Sequence, residues 1–218
     1  MDTRERILAA TRAALGRTVP PDAATIRAEA ARLVAGSDRG RPPRSGTLIE
    51  RFTERLTDPK VGGTVERVAT RADVPDSVRF YLASQSLPAS VALQPNPDLQ
   101  ALDWSGIDTH PHIATDEPVA VGLAACGIAE SGSLVFHSSP ASPTLFAFLP
   151  LHHIVALDAA TLLEWLEDYA DGPAGGGRAQ PRNVNIITGA SGTTDIEGRL
   201  VRGAHGPAYL HVVIFGAG

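Results

Sequence analysis

The pattern of apolar and polar positions changes character near residue 46. Before it, apolar residues recur at helical spacing and predict helices over 3–15 and 22–35. The second is entered through Pro20-Pro21-Asp22, with Asp22 as N-cap, and carries Ile26, Ala30, Leu33 and Val34 on one stripe. The run Gly36 to Gly46, rich in Gly, Pro and Arg, reads as a linker. Thr47 and Glu50 then have the spacing of a capping box, and Ile49, Phe52 and Leu56 follow as one helical face. The first division, residues 1–46, is thus a helical extension with its linker, suited to packing or self-association.

From Gly63 onward short β-like runs alternate with helical ones. Val65–Ala69, Ser90–Leu93, Val119–Cys126, Gly132–Phe136, His153–Leu157, Asn183–Ile187 and Leu210–Phe215 read as strands. Helices are expected over 75–86 and over 158–170, the latter with Leu162, Leu163, Leu166 and Tyr169 on its apolar side. A further helix is expected to open at Thr194. Alternation of this kind predicts an open α/β sheet with helices on its faces over residues 47–218.

Composition narrows the function classes. The 218 residues are 43% hydrophobic and 20% charged, ordinary for a soluble globular chain, and the net charge is −5. An acidic balance without a clustered basic face argues against nucleic acid as the main partner. Cys126 is the single cysteine, so no disulfide framework and no iron–sulfur cluster can be built within this chain. No apolar run is long enough to span a bilayer and the N-terminus lacks an apolar signal core, so a cytoplasmic location is expected.

Three glycine-punctuated loops could carry chemistry. Gly189-Ala190-Ser191-Gly192-Thr193-Thr194-Asp195 follows a strand-like run; its backbone N–H groups and an opening helix would suit a phosphate or carboxylate. Thr194 and Glu197 are equally spaced as a capping box, which needs no ligand. Glu130, between Ala129 and Ser131-Gly132, is either a desolvated acid, base or nucleophile or a turn glutamate bonded to nearby N–H groups. His205, in Gly203-Ala204-His205-Gly206-Pro207, is either a neutral-pH acid/base or a structural turn residue. His110, His112, His152 and His153 lack the helical spacing of a zinc protease, and no metal site is assigned.

Taken in order, Gly127 to Val135, Leu149 to Ile154, Ser191 to Glu197, and Gly203 to Pro207 with Leu210 to Val213 resemble the LUD domain of the lactate-utilization protein C family. The resemblance implies an open, three-layer Rossmann-like α/β domain similar to the sugar-phosphate isomerase and CoA-transferase superfamily. It also implies a cytoplasmic component of lactate (2-hydroxy-acid) utilization. Such a subunit would bind a small anionic metabolite and work with iron–sulfur partner proteins in oxidising L-lactate to pyruvate; a cofactor of its own is not specified. On this reading Glu130, His205 and Asp195 are the catalytic candidates, with Glu130 or His205 handling a proton, and Ser131, Gly132, Gly189, Ser191, Gly192, Thr193, Thr194 and Gly206 bind the ligand.

Two positions depart from the family pattern. Gly192 stands where the family loop carries arginine, and Ser142-Pro143-Thr144-Leu145 lacks the arginine common before the Leu-Pro element. An arginine is the bidentate partner of a carboxylate or phosphate, so here an anion would be held by N–H groups and hydroxyls. Two other functions stay open: a CoA-transferase-like or isomerase-like enzyme using Glu130, and a non-catalytic protein-interaction module.

Overall fold

The computed structural model describes residues 2–16, 21–34, 41, 45–171, 181–196 and 199–217. The chain divides into two units, residues 1–45 and 46–218. The first contains helices α1 (Thr3–Ala14) and α2 (Ala23–Val34). Asp22 caps α2 as expected, accepting hydrogen bonds from the N–H groups of Ala24 (2.8 Å) and Thr25 (2.9 Å). Most of the expected linker lies outside the described residues.

The second unit runs α3 (Leu48–Leu56), β1 (Gly63–Val68), α4 (Val74–Ser84), β2 (Ser90–Leu93), α5 (Pro97–Gln100), β3 (Asp108–His110), β4 (Val119–Leu123), β5 (Cys126–Ile128) and β6 (Ser133–His137). It continues with β7 (His152–Asp158), β8 (Leu162–Leu163), α6 (Leu166–Asp171), β9 (Val184–Thr188), β10 (Gly192–Ile196), β11 (Arg199–Arg202) and β12 (Tyr209–Phe215). Six strands form a parallel central sheet in the order β1-β12-β7-β4-β2-β3. This is the open α/β architecture that the alternating pattern implied.

The inner strands β4, β7 and β12 are buried on both sides, and their residues sort by parity. Ile154 and Ala156 of β7, with Val213 and Phe215 of β12, pack against Val74, Val78 and Leu82 of α4 and Leu99 of α5. Val155, Leu157, Val212 and Ile214 point the other way, onto Ile49, Phe52 and Leu56 of α3. Helix α3 begins with the expected capping box, Thr47 and Glu50 each accepting from the other's N–H. The same face is also covered by a second, four-stranded sheet in the order β8-β5-β6-β9.

That second sheet and a separate β10–β11 pair overturn two expected helices. The segment 158–170 is not one helix: Asp158 caps a short 3-10 turn, and Leu162 and Leu163 then pair in parallel with Gly127 and Ile128. Leu162 joins the core with Phe52 and Leu157, whereas Leu163 packs beside Cys126 and Ile128, so the apolar residues alternate with period 2. Nor does a helix open at Thr194; Gly192 pairs with Arg202 and Thr193 with Val201 in a β10–β11 hairpin. The expected strand 119–126 is also divided. Ala124 N–H still bonds Ala156 O in the central sheet, but Ala125 N–H bonds Val135 O in the second one.

Candidate functional site

In an open parallel sheet, a crevice forms at the carboxyl ends of neighbouring strands whose onward connections leave in opposite directions. Here those strands are β2 and β4. From β2 the chain runs through α5 to the β3 edge; from β4 it enters the second sheet and returns at β7. Gln94, one residue past β2 and 2% exposed, spans the gap. Its Oε1 accepts from Leu123 N–H (2.6 Å), and its Nε2 donates to Ala141 O (3.2 Å). A cavity of about 200 Å³ opens beside it, lined by Asn96, Ala125, His137, Ser139 and Ser142 among others, with no carboxylate among the described residues of its lining.

The crevice can therefore supply neutral hydrogen-bonding groups: hydroxyls, amides and an imidazole. His137 shares a hydrogen bond of 2.9 Å between Nε2 and the Tyr169 hydroxyl, and partial burial holds its pKa below the usual histidine value, favouring the neutral ring. Such a set is able to hydrogen-bond a small polar group and carries no negative charge to repel an anion. Among the described residues, no three His, Cys, Asp or Glu side chains converge as a metal site requires.

The glycine loops take up other places. Glu130, in the β5–β6 turn, accepts from Leu166 N–H (3.4 Å), while its own N–H bonds Glu164 O. Ser131 and Ser133 share a hydrogen bond (2.7 Å), and Ser133 reaches Thr188 at 2.6 Å, closing β6 onto β9. Gly132 and Gly189 have positive φ (68° and 77°), and both lie against backbone: an added Cβ would stand 2.7 Å from Leu56 N and 2.2 Å from Val61 O. Ser191 is tied through its backbone to Pro207 and Gly203, with Gly206 beside its side chain. Gly192, Thr193, Thr194 and Asp195 lie in β10, while Glu197 lies outside the described residues.

His205 is exposed and lines a different cavity of about 630 Å³, at the amino ends of β4, β7 and β12, with Asp116, Glu117 and the Leu149–Leu151 segment. Glu117 is 5% exposed, 3.6 Å from His110 Nε2. The two acidic residues set this cavity against an anion. Sequence reasoning missed a third cluster at the same edge of the sheet. Tyr81 bonds His152 Nδ1 (2.9 Å) and stacks on His211 (4.5 Å), and His211 Nδ1 lies 2.8 Å from Thr64 Oγ1. Burial holds both histidines below their usual pKa. These residues come from β1, α4, β7 and β12, and no local motif joins them.

The sequence model of the LUD domain matches residues 112–215, from ahead of β4 to the end of β12. The match to the LUD domain covers just under half of the chain. The matched segment holds His137, Ser139 and Ser142 of the crevice, and Gln94 and Asn96 lie ahead of it. Relatives include lactate utilization protein C of Exiguobacterium sp., 27% identical over 53% of each chain. The protein of the same name from Geobacillus sp. is 30% identical over 52% of this chain and 49% of its own. YkgG of Escherichia coli, itself uncharacterized, is 31% identical over half of each. The chain thus spans about half the length of the curated relatives it matches. The crystal structure of a DUF162 family protein from Deinococcus radiodurans superposes with a TM-score of 0.58, covering 80% of this chain and all of that one at 15% identity. That likeness shows the fold.

Proposed function

We propose that this chain is the ligand-binding component of a cytoplasmic lactate (2-hydroxy-acid) utilization system, and that it holds its ligand where β2 and β4 part. The carrying observation is the neutral donor set around Gln94, free of carboxylates among the described residues, at the switch point of the sheet. Relatives named lactate utilization protein C supply the substrate class. Serine and asparagine donors there would take over the role of the arginines that Gly192 and Ser142–Leu145 lack. Oxidation of a 2-hydroxy acid releases two electrons, and these would pass to iron–sulfur partner proteins, since one cysteine cannot ligate a cluster.

Calorimetric titration with L-lactate tests the proposal. The Ser139→Ala/Ser142→Ala double variant should lose about tenfold or more in affinity, while Glu130→Gln and His205→Ala stay within about twofold of wild type. The reverse pattern would move the ligand to the Glu130 or His205 loop and refute the crevice.

A further inference from the structure

Behind the crevice the protein leaves polar groups without partners. His153 is 1% exposed, and among the described residues neither ring nitrogen has a hydrogen-bond partner; Asn185 Nδ2 is likewise buried and unpaired there. A buried polar group without a partner forfeits its hydration, so such groups mark a place for an absent one. Both residues line a small cavity of about 10 Å³ beneath the 142–147 segment, with Gln94, Phe136, Ser142 and Phe146. That is room for one water-sized group. Gln94 and Ser142 line both this cavity and the larger crevice, so the two adjoin. Gly122 keeps the approach open: a Cβ there would stand 2.9 Å from Gln94 Oε1 and 3.1 Å from His153 Nε2.

We propose that this inner end of the crevice receives the hydroxyl group of the ligand, with His153 and Asn185 as its hydrogen-bonding partners. Burial pushes the His153 pKa down to about 4, so the ring is neutral, with one N–H donor and one lone pair. The Asn185 amide adds N–H donors. A group there meets one ring nitrogen and the Asn185 amide; a hydroxyl can accept from the amide and either donate to the ring's lone pair or accept from its N–H, so it fits both ring tautomers. A carboxylate only accepts, and its charge and two oxygens would have to be desolvated in a space for one group; a methyl group would leave both residues unpaired. The inner end thus selects an alcohol, and the carboxylate of a 2-hydroxy acid would remain among the outer serines. This inference rests on the crevice being the ligand site.

The test compares L-lactate with propionate, which has the same carboxylate and carbon chain and a hydrogen in place of the hydroxyl. Wild-type protein should bind lactate about tenfold or more tightly than propionate, and His153→Leu should bring the two within about twofold. The ¹⁵N signals of the His153 ring should move with lactate and stay in place with propionate, which reads the contact in the unsubstituted protein. Equal binding of both acids by wild type would overturn the hydroxyl contact, leaving the inner cavity to a resident water while the crevice reading stands. Binding of neither acid would overturn the crevice reading itself.

Discussion

The buried His153 makes the stability of this fold depend on pH in a way that one substitution should remove. The ring lies in β7 against Phe136, with centroids 5.6 Å apart, and it has no carboxylate partner in hydrogen-bonding contact. Desolvation lowers its pKa in the folded chain to about 4, while the unfolded chain has the ordinary value near 6.5. Between those values the unfolded state binds the extra proton, so stability falls as pH drops from about 6.5 toward 4 and is unaffected above that window. Each pH unit inside it costs about 1.4 kcal/mol, and the whole span about 3 kcal/mol. His137, His152 and His211 are shifted in the same direction, so the wild-type curve alone cannot isolate one ring. His153→Leu can. Leucine is of similar volume and removes the two unpaired nitrogens, so the variant should match or exceed wild type at pH 7.5. Denaturant unfolding followed from pH 7.5 to 5.0 should then show wild type losing about 2 kcal/mol more than the variant. Parallel curves for the two proteins would refute the reasoning, because they would mean that the ring is charged, or reaches solvent, in the folded state.

The central sheet was legible because parallel strands buried on both faces leave continuous apolar runs: Val119–Leu123, Ile154–Leu157 and Leu210–Phe215 allow little else. Helix α3 was legible for a local reason, the Thr47–Glu50 capping box. Segments 158–170 and 192–196 were not, because their apolar and β-branched residues fit either period. The choice is made by partners distant in sequence or not yet formed, Gly127 and Ile128 for Leu162 and Leu163, and Arg202 for Gly192. The candidate site failed to show for a related reason. The glycine loops are visible in sequence, yet Gly132 and Gly189 serve close packing on Leu56 and Val61. The polar groups of the crevice and its inner cavity are single residues in or just past apolar runs, Gln94 after β2, His153 in β7 and Asn185 in β9, and only the topology brings them together. His152 and His153 look alike in sequence, but neighbouring strand positions face opposite ways, so one meets Tyr81 and the other Phe136.

Two further outcomes test the packing on which the crevice depends. Gly189→Ala should destabilise the fold by about 2 kcal/mol or more, since φ is 77° and the new methyl would meet Val61 O; an unchanged denaturation midpoint would exclude that approach. Cys126 is 3% exposed, packs with Ile128, Val135, Tyr169 and Leu163, and has its thiol pushed up to about 11 by burial. It should therefore resist a thiol-specific reagent at pH 8 in the folded chain and react on unfolding. Because Leu163 in β8 supplies part of that cover, Leu163→Ala should speed the reaction while Leu166→Ala, at an exposed position, leaves it slow. A continuous helix over 158–170 would set Leu163 and Leu166 on one face, and the two substitutions would then act alike.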